Sequence, residues 1–270
     1  MSASPFEVEG RTILITGGAG LLGRAYARAL ARAGANVAIA DIDLAAAEQA
    51  AQALDTRRVC ALPLDVTEPS SVSAAISETV GRFGAIDGLV NNAASDPKFD
   101  PSHAGAHTAP FESFPLELWN RELAVNLTGS FLCAQSAGRV MRDRGRGTIV
   151  NISSIYGLVG PDQRLYEEAG GGPRKTKPVT YSVSKSAVIG LTRYLAAYWA
   201  GTGIRVNTLV LGGVENGHDP GFLERYGSRN PLGRMAQADE YCGALMFLLS
   251  DASSYMTGAD LIVDGGWTAW

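Results

Sequence analysis

A tyrosine and a lysine stand four residues apart where a helical pattern begins late in the chain. Residues 181–185 read YSVSK, and a helix places the side chains of Tyr181 and Lys185 on one face, one turn apart. An ammonium group beside a phenol favours the phenolate, so such a tyrosine can transfer protons near neutral pH. The same spacing is common on ordinary amphipathic helices, so the pair is a candidate that needs support from other residues.

A second candidate is a glycine-rich loop near the start of the chain. Gly17, Gly20 and Gly23 recur every three residues between an apolar run and a helical pattern. Glycine lets the backbone turn tightly and approach a pyrophosphate, whose charge the amides at a helix N-terminus then hold. A tight strand-to-helix turn uses glycine as well, so the loop favours a dinucleotide site without establishing one.

The type of dinucleotide is indicated by Asp41, which ends the next apolar run, eighteen positions after Gly23. A carboxylate there accepts hydrogen bonds from the adenosine ribose and repels a 2′-phosphate. The next residue, Ile42, is neutral, and the glycine loop itself carries no base. A base near this position would pair with the 2′-phosphate of NADP. Because Arg24 lies on the helix that follows, NADP is kept as the less favoured alternative. We therefore predict NAD as the cofactor.

The elements that position these residues follow from the apolar pattern. Seven short apolar runs without polar alternation are predicted to be strands buried on both faces, as in a parallel sheet: Thr12 to Thr16, Asn36 to Ala40, Val59 to Leu64, Gly88 to Asn91, Gly147 to Ile152, Ile204 to Val210 and Leu261 to Val263. Six amphipathic stretches between them are predicted to be helices: Leu21 to Ala33, Leu44 to Leu54, Ser70 to Phe83, Leu116 to Arg142, Tyr181 to Trp199 and Asp239 to Leu249. The alternation predicts a doubly wound α/β fold in a single domain over residues 1–270.

Three stretches rich in Gly, Pro and polar residues interrupt this alternation, at 95–114, 157–180 and 212–234. Each follows the carboxyl end of a predicted strand, which is where doubly wound folds bind ligands. We therefore predict that all three are substrate loops.

Composition excludes several other classes of protein. With 46% apolar and 19% charged residues and a net charge of −4, the chain is expected to be globular and to lack a nucleic-acid-binding surface. Three cysteines without CxxC pairs predict a reduced, cytoplasmic setting, and we expect neither an export signal nor a membrane span. His103 and His107 lack a third ligand, so no metal site is predicted.

Four motifs in order resemble those of the short-chain dehydrogenase/reductase family, over essentially the whole length. They are the glycine loop, residues 91–94 (NNAA), residues 151–154 (NISS) and the Tyr181–Lys185 segment. Residues 64–67 and 263–266 resemble further family signatures. The resemblance implies a Rossmann fold, hydride transfer with a nicotinamide dinucleotide, and assembly into dimers or tetramers through the two long helices.

The resemblance also implies individual roles. Tyr181 would be the general acid/base, Lys185 would activate it and bond the nicotinamide ribose, and Ser154 would polarise the substrate oxygen. The implied catalytic set, with the helix asparagine that holds a relay water, is Asn126, Ser154, Tyr181 and Lys185. Asp65 would bond the adenine, with Val66 beside it. The implied cofactor-binding set is Gly17, Gly20, Leu22, Gly23, Asp41, Asp65, Val66, Asn91, Tyr181, Lys185 and Val214.

Some positions depart from the family pattern. Leu21 stands where a glycine is usual, and Gly20 supplies one a position earlier. Leu211 stands where a proline is usual, and Asn216 where a threonine often bonds the cofactor. These departures concern the seating of the nicotinamide.

Twenty-six residues separate Ser154 from Tyr181, more than the family usually has. This insertion and the C-terminal residues resemble a subgroup linked to bacterial flagellin and surface-glycan modification, including nonulosonic acid biosynthesis. Charged residues there are expected either to pair with a carboxylate or phosphate or to be solvated loop charges: Arg164, Arg174, Lys175 and Lys177. Aromatic residues are expected either to face a sugar ring or to pack the loops: Tyr156, Tyr166, Phe222 and Tyr226.

Together these observations predict an NAD-dependent oxidoreductase that interconverts a secondary alcohol and a ketone on a sugar or sugar-acid-like substrate. The alternative is a dinucleotide-binding regulatory protein of the same fold without turnover. The complete proton-handling set favours the enzyme. A small molecule is the expected partner, with no nucleic acid and no membrane.

Overall fold

Seven parallel strands form one sheet in the order β3-β2-β1-β4-β5-β6-β7. The computed structural model describes residues 4–54, 56–95, 110–166 and 176–270. The strands are β1 Thr12–Thr16, β2 Asn36–Asp41, β3 Val59–Pro63, β4 Gly88–Asn91, β5 Gly147–Ser154, β6 Ile204–Leu211 and β7 Asp260–Val263. The strand order reverses between β1 and β4, which opens a crevice at their carboxyl ends.

Eight α-helices accompany the sheet in the described chain. They are α1 Leu21–Arg32, α2 Leu44–Gln52, α3 Pro69–Phe83, α4 Leu116–Leu123, α5 Gly129–Arg144, α6 Val179–Tyr198, α7 Pro220–Gly227 and α8 Cys242–Leu249. Short 3₁₀ turns occupy Gln163–Tyr166 and Ala238–Tyr241.

Each face of the sheet carries its own hydrophobic core because neighbouring strand residues point to opposite faces. Ile13 and Ile15 of β1 pack with Tyr26 of α1 on one face. Leu14 packs with Met141 of α5 on the other. All five residues of β1 are buried. The parallel sheet with a hydrophobic core on each face confirms the predicted doubly wound fold.

Two predicted elements differ in kind from the structure, and the helix predicted from Asp239 begins as a 3₁₀ turn and becomes α8 only at Cys242. The long helix predicted from Leu116 to Arg142 is interrupted by a π-helical turn at Ala124–Thr128. The stretch predicted as a loop at 212–234 contains α7, which begins where the Asp219 carboxylate accepts the Phe222 amide and Pro220 occupies the first turn. The Asp219 cap and Pro220 both favour a helix start. The surrounding Gly and polar residues nevertheless led to the prediction of a loop over this eight-residue helix.

The described residues contain no membrane-spanning helix, no disulfide bond and no metal-ligand cluster. None of the described helices combines the length and hydrophobicity that a membrane crossing requires. The three cysteines, Cys60, Cys133 and Cys242, are buried and unbridged. No group of three or more metal-ligating side chains occurs among these residues, while His103 and His107 lie outside them.

Candidate active site

A cavity of about 770 Å³ opens at the carboxyl edge of the sheet. Its wall runs from the glycine loop to Ser154, Tyr181 and Lys185 and closes under α7. Described parts of all three predicted substrate loops contribute to the wall: Ser95 from 95–114, Tyr166 and Lys177 from 157–180, and Gly212, Gly213, Val214, Asn216, His218, Phe222 and Tyr226 from 212–234.

The glycine loop is shaped by backbone contacts too close for side chains. Gly17 has φ +60°, and a Cβ there would lie 2.7 Å from the Cα of Ala93. A Cβ on Gly23 would lie 2.6 Å from the Cα of Gly18, and one on Gly18 would lie 2.8 Å from Ile39. Gly18 therefore belongs to the loop's packing, a role that the three-residue spacing did not indicate.

Gly20 differs from these glycines. A Cβ there would meet Gly17 at an ordinary 3.4 Å, and Gly20 lines the cavity just before α1. Since protein packing does not require glycine at this position, the space over it suits close approach of a ligand to the helix N-terminus. The loop therefore fits a pyrophosphate.

Asn92 fastens the β4 end to this loop. Its amide group donates to the carbonyl oxygens of Thr16 at 3.0 Å and Gly17 at 2.9 Å. The Thr16 hydroxyl accepts the backbone amides of Asn92 and Ala93 at 3.1 and 3.0 Å. The two strand ends that flank the crevice are thus held in register.

Two carboxylates line the end of the cavity beyond the glycine loop. Asp41 accepts the amide of Ala19 at 2.9 Å, and Asp65 accepts the amide and hydroxyl of Thr67 at 2.9 and 2.7 Å. Val66 lies in the wall beside Asp65. Arg24 is exposed on α1, where its Nε donates to the Ala19 carbonyl. The position of Asp41 suits the hydroxyls of an adenosine ribose, and that of Asp65 and Val66 is compatible with the predicted contact to the adenine.

The other predicted cofactor residues divide into two groups. Leu22 and Val214 line the cavity. The Asn91 side chain does not reach it: it is 4% exposed and donates to the Ser130 carbonyl at 3.2 Å and to the Asn151 side chain at 2.8 Å. A side-chain role for Asn91 along the cofactor is therefore not supported by the geometry, because its amide is engaged inside the sheet.

The reacting end is formed where β5 meets α6. The Ser153 hydroxyl donates to the Lys185 carbonyl at 2.7 Å, and Lys185 Nζ donates to the Ile152 carbonyl at 2.9 Å. Lys185 is 6% exposed, and its Nζ lies 5.9 Å from the Tyr181 ring centroid. Ser154 ends β5 and lines the same part of the cavity. The structure thus brings Ser154, Tyr181 and Lys185 together.

Asn126 lies in the π-helical turn between α4 and α5 and is buried. Its side chain accepts the Ser95 amide at 2.7 Å and donates to the Ser95 carbonyl at 3.1 Å and the Ser184 hydroxyl at 3.3 Å. Ser184 precedes Lys185 on α6. Asn126 therefore connects the β4 loop to the helix that carries Tyr181, and π-helical turns of this kind frequently occur at functional sites.

Aromatic rings form a continuous wall over the reacting end. Tyr156 meets the Tyr181 ring edge-on at 6.5 Å, and the Tyr166 hydroxyl donates to the Tyr156 hydroxyl at 3.2 Å. Phe222 packs on Tyr166 at 5.7 Å and stacks on His218 at 4.9 Å. These rings pack the loops together and also line the cavity, so a role beside a sugar ring stays a prediction.

Tyr156 is a buried tyrosine at this end, and burial changes its pKa. It raises the pKa of Tyr156 to about 12, against the opposing effect of the Tyr166 hydroxyl. Tyr156 therefore stays protonated at neutral pH. Of Tyr156 and Tyr181, the latter, which lies beside a buried ammonium, is the one suited to proton transfer.

The predicted cations have different positions. Arg164 pairs with the neighbouring Asp162 at 2.8 Å, outside the cavity wall. Lys177 lines the cavity, with Nζ 3.9 Å from the Tyr181 ring centroid. Arg174 and Lys175 lie outside the described residues. Asp162 also pairs with Arg229, a contact that no sequence spacing could have indicated.

Comparisons with known proteins agree with this geometry. A family model described as enoyl-(acyl carrier protein) reductase matches residues 18–268. A D-threitol dehydrogenase of Mycolicibacterium smegmatis is 37% identical, covering 97% of this chain and 95% of that protein. A cis-4-hydroxycyclohexanecarboxylate dehydrogenase of Sinomonas cyclohexanicum is 36% identical, covering 96% and 97%. A crystal structure of a gluconate 5-dehydrogenase from Burkholderia cenocepacia J2315 in complex with NADP and tartrate superposes with a TM-score of 0.84 at 35% identity, covering 98% of both chains.

Proposed function

We propose that this chain, which belongs to the short-chain dehydrogenase/reductase family, acts on a sugar-like polyhydroxy compound. We propose NAD as its cofactor. The chain is an oxidoreductase that acts on CH–OH groups with a nicotinamide dinucleotide. The observation that carries the proposal is the single cavity that joins a glycine-shaped loop and Asp41 at one end to Ser154, Tyr181 and Lys185 at the other.

In the proposed reaction, Tyr181 transfers the proton of the substrate hydroxyl and Ser154 hydrogen-bonds the same oxygen. When bound, the dinucleotide supplies the hydride acceptor for oxidation or the donor for reduction. The Ser154 hydroxyl accepts the Tyr156 amide at 3.2 Å, which leaves its proton free to donate to the substrate oxygen. Tyr181, as phenolate, takes the hydroxyl proton during oxidation and returns it during reduction. The Lys185 ammonium places a positive charge 5.9 Å from the Tyr181 ring centroid, beside the group that takes and returns the proton.

Asn126 is proposed to position this centre and to hold the relay water. Its bonds to Ser95 and Ser184 fix the first turns of α6. Lys185 follows Ser184 directly on the helix. In the proposed proton relay, Lys185 and Asn126 lie on either side of the relay water. Loss of the Asn126 amide would break both hydrogen bonds to the Ser95 backbone and the link from that segment to Ser184.

A sugar-like substrate is supported by the wall chemistry and by the relatives. Stacked rings beside donors such as His218 and Ser154 suit a carbon chain that carries several hydroxyls. The named substrates of the relatives include a neutral polyol and hydroxylated carboxylates. The finer resemblance to the surface-glycan subgroup stays a prediction.

We also propose that the protein is cytoplasmic and that it forms a dimer or tetramer. Three buried, unbridged cysteines are compatible with the cytoplasm, and family resemblance favours a dimer or tetramer. The regulatory alternative is less favoured because Ser154, Tyr181 and Lys185 line one cavity and the buried Asn126 bonds Ser184 beside Lys185.

The test is a turnover screen of the purified protein with NAD and NADP against alditols, aldonates and sugars. We expect NAD reduction by a polyhydroxy secondary alcohol. Tyr181→Phe keeps the ring and removes the transferable proton, so turnover should fall at least about a hundredfold while dinucleotide binding, measured by fluorescence titration, persists. Tyr156→Phe is the matched control, with an expected loss of less than about tenfold. Dinucleotide binding without turnover of any alcohol would favour the regulatory alternative.

A further inference from the structure

Two side-chain contacts link α4 and the π-helical turn after it to α6. The Thr180 hydroxyl donates to the Glu122 carboxyl group, and the Asn126 side chain donates to the Ser184 hydroxyl at 3.3 Å. From the first contact to the second, both partners advance by four residues, which is about one helical turn. The two contacts therefore follow one another along the interface between these helical segments.

The residues of the reacting end stand directly after the two residues of α6 that are held. Tyr181 follows Thr180, and Lys185 follows Ser184. Residues four apart share one face of a helix. Thr180 and Ser184 therefore share the face that contacts α4 and the π-helical turn. Tyr181 and Lys185 share the neighbouring face and line the cavity. Each contact thus fixes the backbone one residue before a side chain of the reacting end.

The first turn of α6 depends on such contacts because its start is weakly capped. Pro178 occupies the N-cap position without a capping side-chain hydrogen bond, and the first turn contains no acidic residue. The first amides of a helix have no partner within the helix, and helix ends fray. Tyr181 is the third residue of α6. Its position is therefore set largely by contacts from outside the helix.

Glu122 provides a contact of this kind at the first turn. Glu122 and Thr180 are both 0% exposed, so water does not compete for their hydrogen bond. An acidic side chain beside the N-terminus of a helix interacts favourably with the helix dipole. Movement of the turn away from α4 would separate the buried Thr180 hydroxyl from its acceptor, which is costly in the interior. The contact therefore resists displacement of Tyr181.

We infer that Glu122 is a positioning residue for the reaction. Through the Thr180 hydroxyl it holds the first turn of α6, and thereby places the Tyr181 hydroxyl against the substrate oxygen. The inference rests on the proposed function, because it gives Glu122 a part in the proton transfer proposed for Tyr181. Glu122 and Thr180 lie 58 positions apart, so no local spacing in the sequence indicates the pair.

The experiment removes the Thr180 hydroxyl without changing the size of the side chain. In Thr180→Val, kcat with NAD and the most active alditol or aldonate should fall at least about tenfold, because a small displacement of an acid/base group slows the chemical step. The dissociation constant of NAD should stay within about twofold, since the glycine loop and the bond from Lys185 to the Ile152 carbonyl are untouched. Thr180→Ser keeps the hydroxyl and should retain most of kcat.

A double-mutant cycle tests whether the two residues act as one unit. Glu122→Met replaces the carboxyl group by an apolar group of similar size. If the carboxyl acts through Thr180, Glu122→Met with Thr180→Val should lose no more kcat than the more impaired single variant, within about threefold. Losses that multiply in the double variant would show that Glu122 acts by another route, and would overturn the inference.

Thr192→Val is the matched control. Thr192 also lies on α6, is 0% exposed, and its hydroxyl accepts the Asn151 side chain at 2.8 Å. Loss of this hydroxyl should lower Tm and leave kcat within about twofold, because Tyr181 lies about three turns earlier on the helix.

The remaining outcomes separate the inference from the proposed function. Unchanged kcat in Thr180→Val, or equal losses of kcat in Thr180→Val and Thr192→Val, would overturn the inference, while the activity of the wild type would uphold the proposed function. A wild type that oxidises none of the alcohols would count against the proposed function and would remove the inference with it.

Discussion

Asp41 combines a structural and a recognition role at the residue scale. Its carboxylate accepts the amides of Ala19 and Asp43 at 2.9 and 3.1 Å while it faces the cavity. The next residue, Ile42, is 74% exposed and lines the cavity too. A 2′-phosphate placed here would meet the negative charge of Asp41 and a neutral neighbour, so the site favours a free ribose hydroxyl.

The cofactor prediction follows directly. We expect kcat/KM of the wild type to favour NAD over NADP at least about tenfold, a difference of roughly 1.4 kcal/mol. Asp41→Asn with Ile42→Arg keeps an acceptor for the Ala19 amide, removes the charge and adds a base, so the preference should move toward NADP. Steady-state kinetics with both cofactors measure it. A wild type that prefers NADP would implicate Arg24 of α1, whose Nε donates to the Ala19 carbonyl of the glycine loop.

Asn91 and Asn92 illustrate why site residues were predicted incompletely. Family resemblance selected Ser154, Tyr181 and Lys185, and the structure brings them to one place. It also selected Asn91, yet the neighbouring Asn92 is the one that faces the cavity. Successive side chains at a strand end point to opposite sides, and which side faces the crevice depends on packing against Ser130 and Asn151 that the sequence does not display.

At the element scale, the glycine loop separates two uses of glycine. Gly23→Ala would press a Cβ against Gly18 and Gly17, so it should lower Tm by several degrees and weaken NAD binding together. Gly20→Ala has ordinary packing space, so Tm should stay within about 2 °C while NAD affinity falls. Thermal unfolding and NAD titration of both variants measure this. Unchanged NAD affinity in Gly20→Ala would argue against a pyrophosphate over this position.

The roof of the cavity joins two elements that are far apart in sequence. Arg225 of α7 donates to the Leu165 carbonyl at 3.1 Å, and Asp162 pairs with Arg229 just beyond α7. Asp162 also pairs with Arg164 on its own turn. The Asp162 carboxylate therefore holds the 3₁₀ turn and the α7 segment together over the reacting end of the cavity.

This arrangement predicts different effects for the two arginines. Arg229→Gln removes the link between the elements, so KM should rise about threefold or more and hydrogen exchange around residues 220–229 should accelerate. Arg164→Gln removes a guanidinium from the same carboxylate without breaking the link, and should change both quantities much less. Equal effects of the two substitutions would mean that the Asp162–Arg229 pair does not hold the roof.

Most elements could be predicted from the apolar pattern, and the exceptions have local causes. β1 and β4 have the predicted bounds because both strands are buried on both faces. The π-helical turn at Ala124–Thr128 adds one residue to a helix turn without any proline or glycine inside it, so periodicity alone reads through it. The contacts of Asn126 with Ser95 and Ser184 stabilise it instead.

On the scale of the whole molecule, Arg205 of β6 ties the C-terminal part to the sheet. Its guanidinium donates to the Leu248 and Ser250 carbonyls at 3.0 and 3.1 Å and to the Ser253 and Thr148 hydroxyls at 3.0 and 3.1 Å. Burial lowers the pKa of Arg205, and these neutral acceptors compensate for its desolvation. The end of α8 and the chain leading into β7 are thereby held against β5 and β6.

The outer face of α6 is the strongest indication of assembly. Tyr194 and Tyr198 are 65% and 62% exposed and stack at 6.0 Å. Gly190, one turn earlier, has open space where a Cβ would be. Phe131 of α5 is exposed to 44%. Rings and a small residue on one helix face suit close packing against a second copy of the chain.

We therefore predict a dimer or tetramer in solution that depends on this face. Tyr194→Glu with Tyr198→Lys keeps the helix through an i,i+4 ion pair, with the lysine at the helix C-terminus, and replaces two rings by charges, so the mass from light scattering should fall toward that of one chain. Leu232→Glu is the control, because Leu232 is equally exposed at 66% on another part of the surface and should leave the mass unchanged. Since the same helix carries Tyr181 and Lys185 at its opposite end, dissociation should also reduce turnover, and we expect activity and mass to change together when protein concentration is lowered. A wild type that runs as a single chain would refute the role of this face.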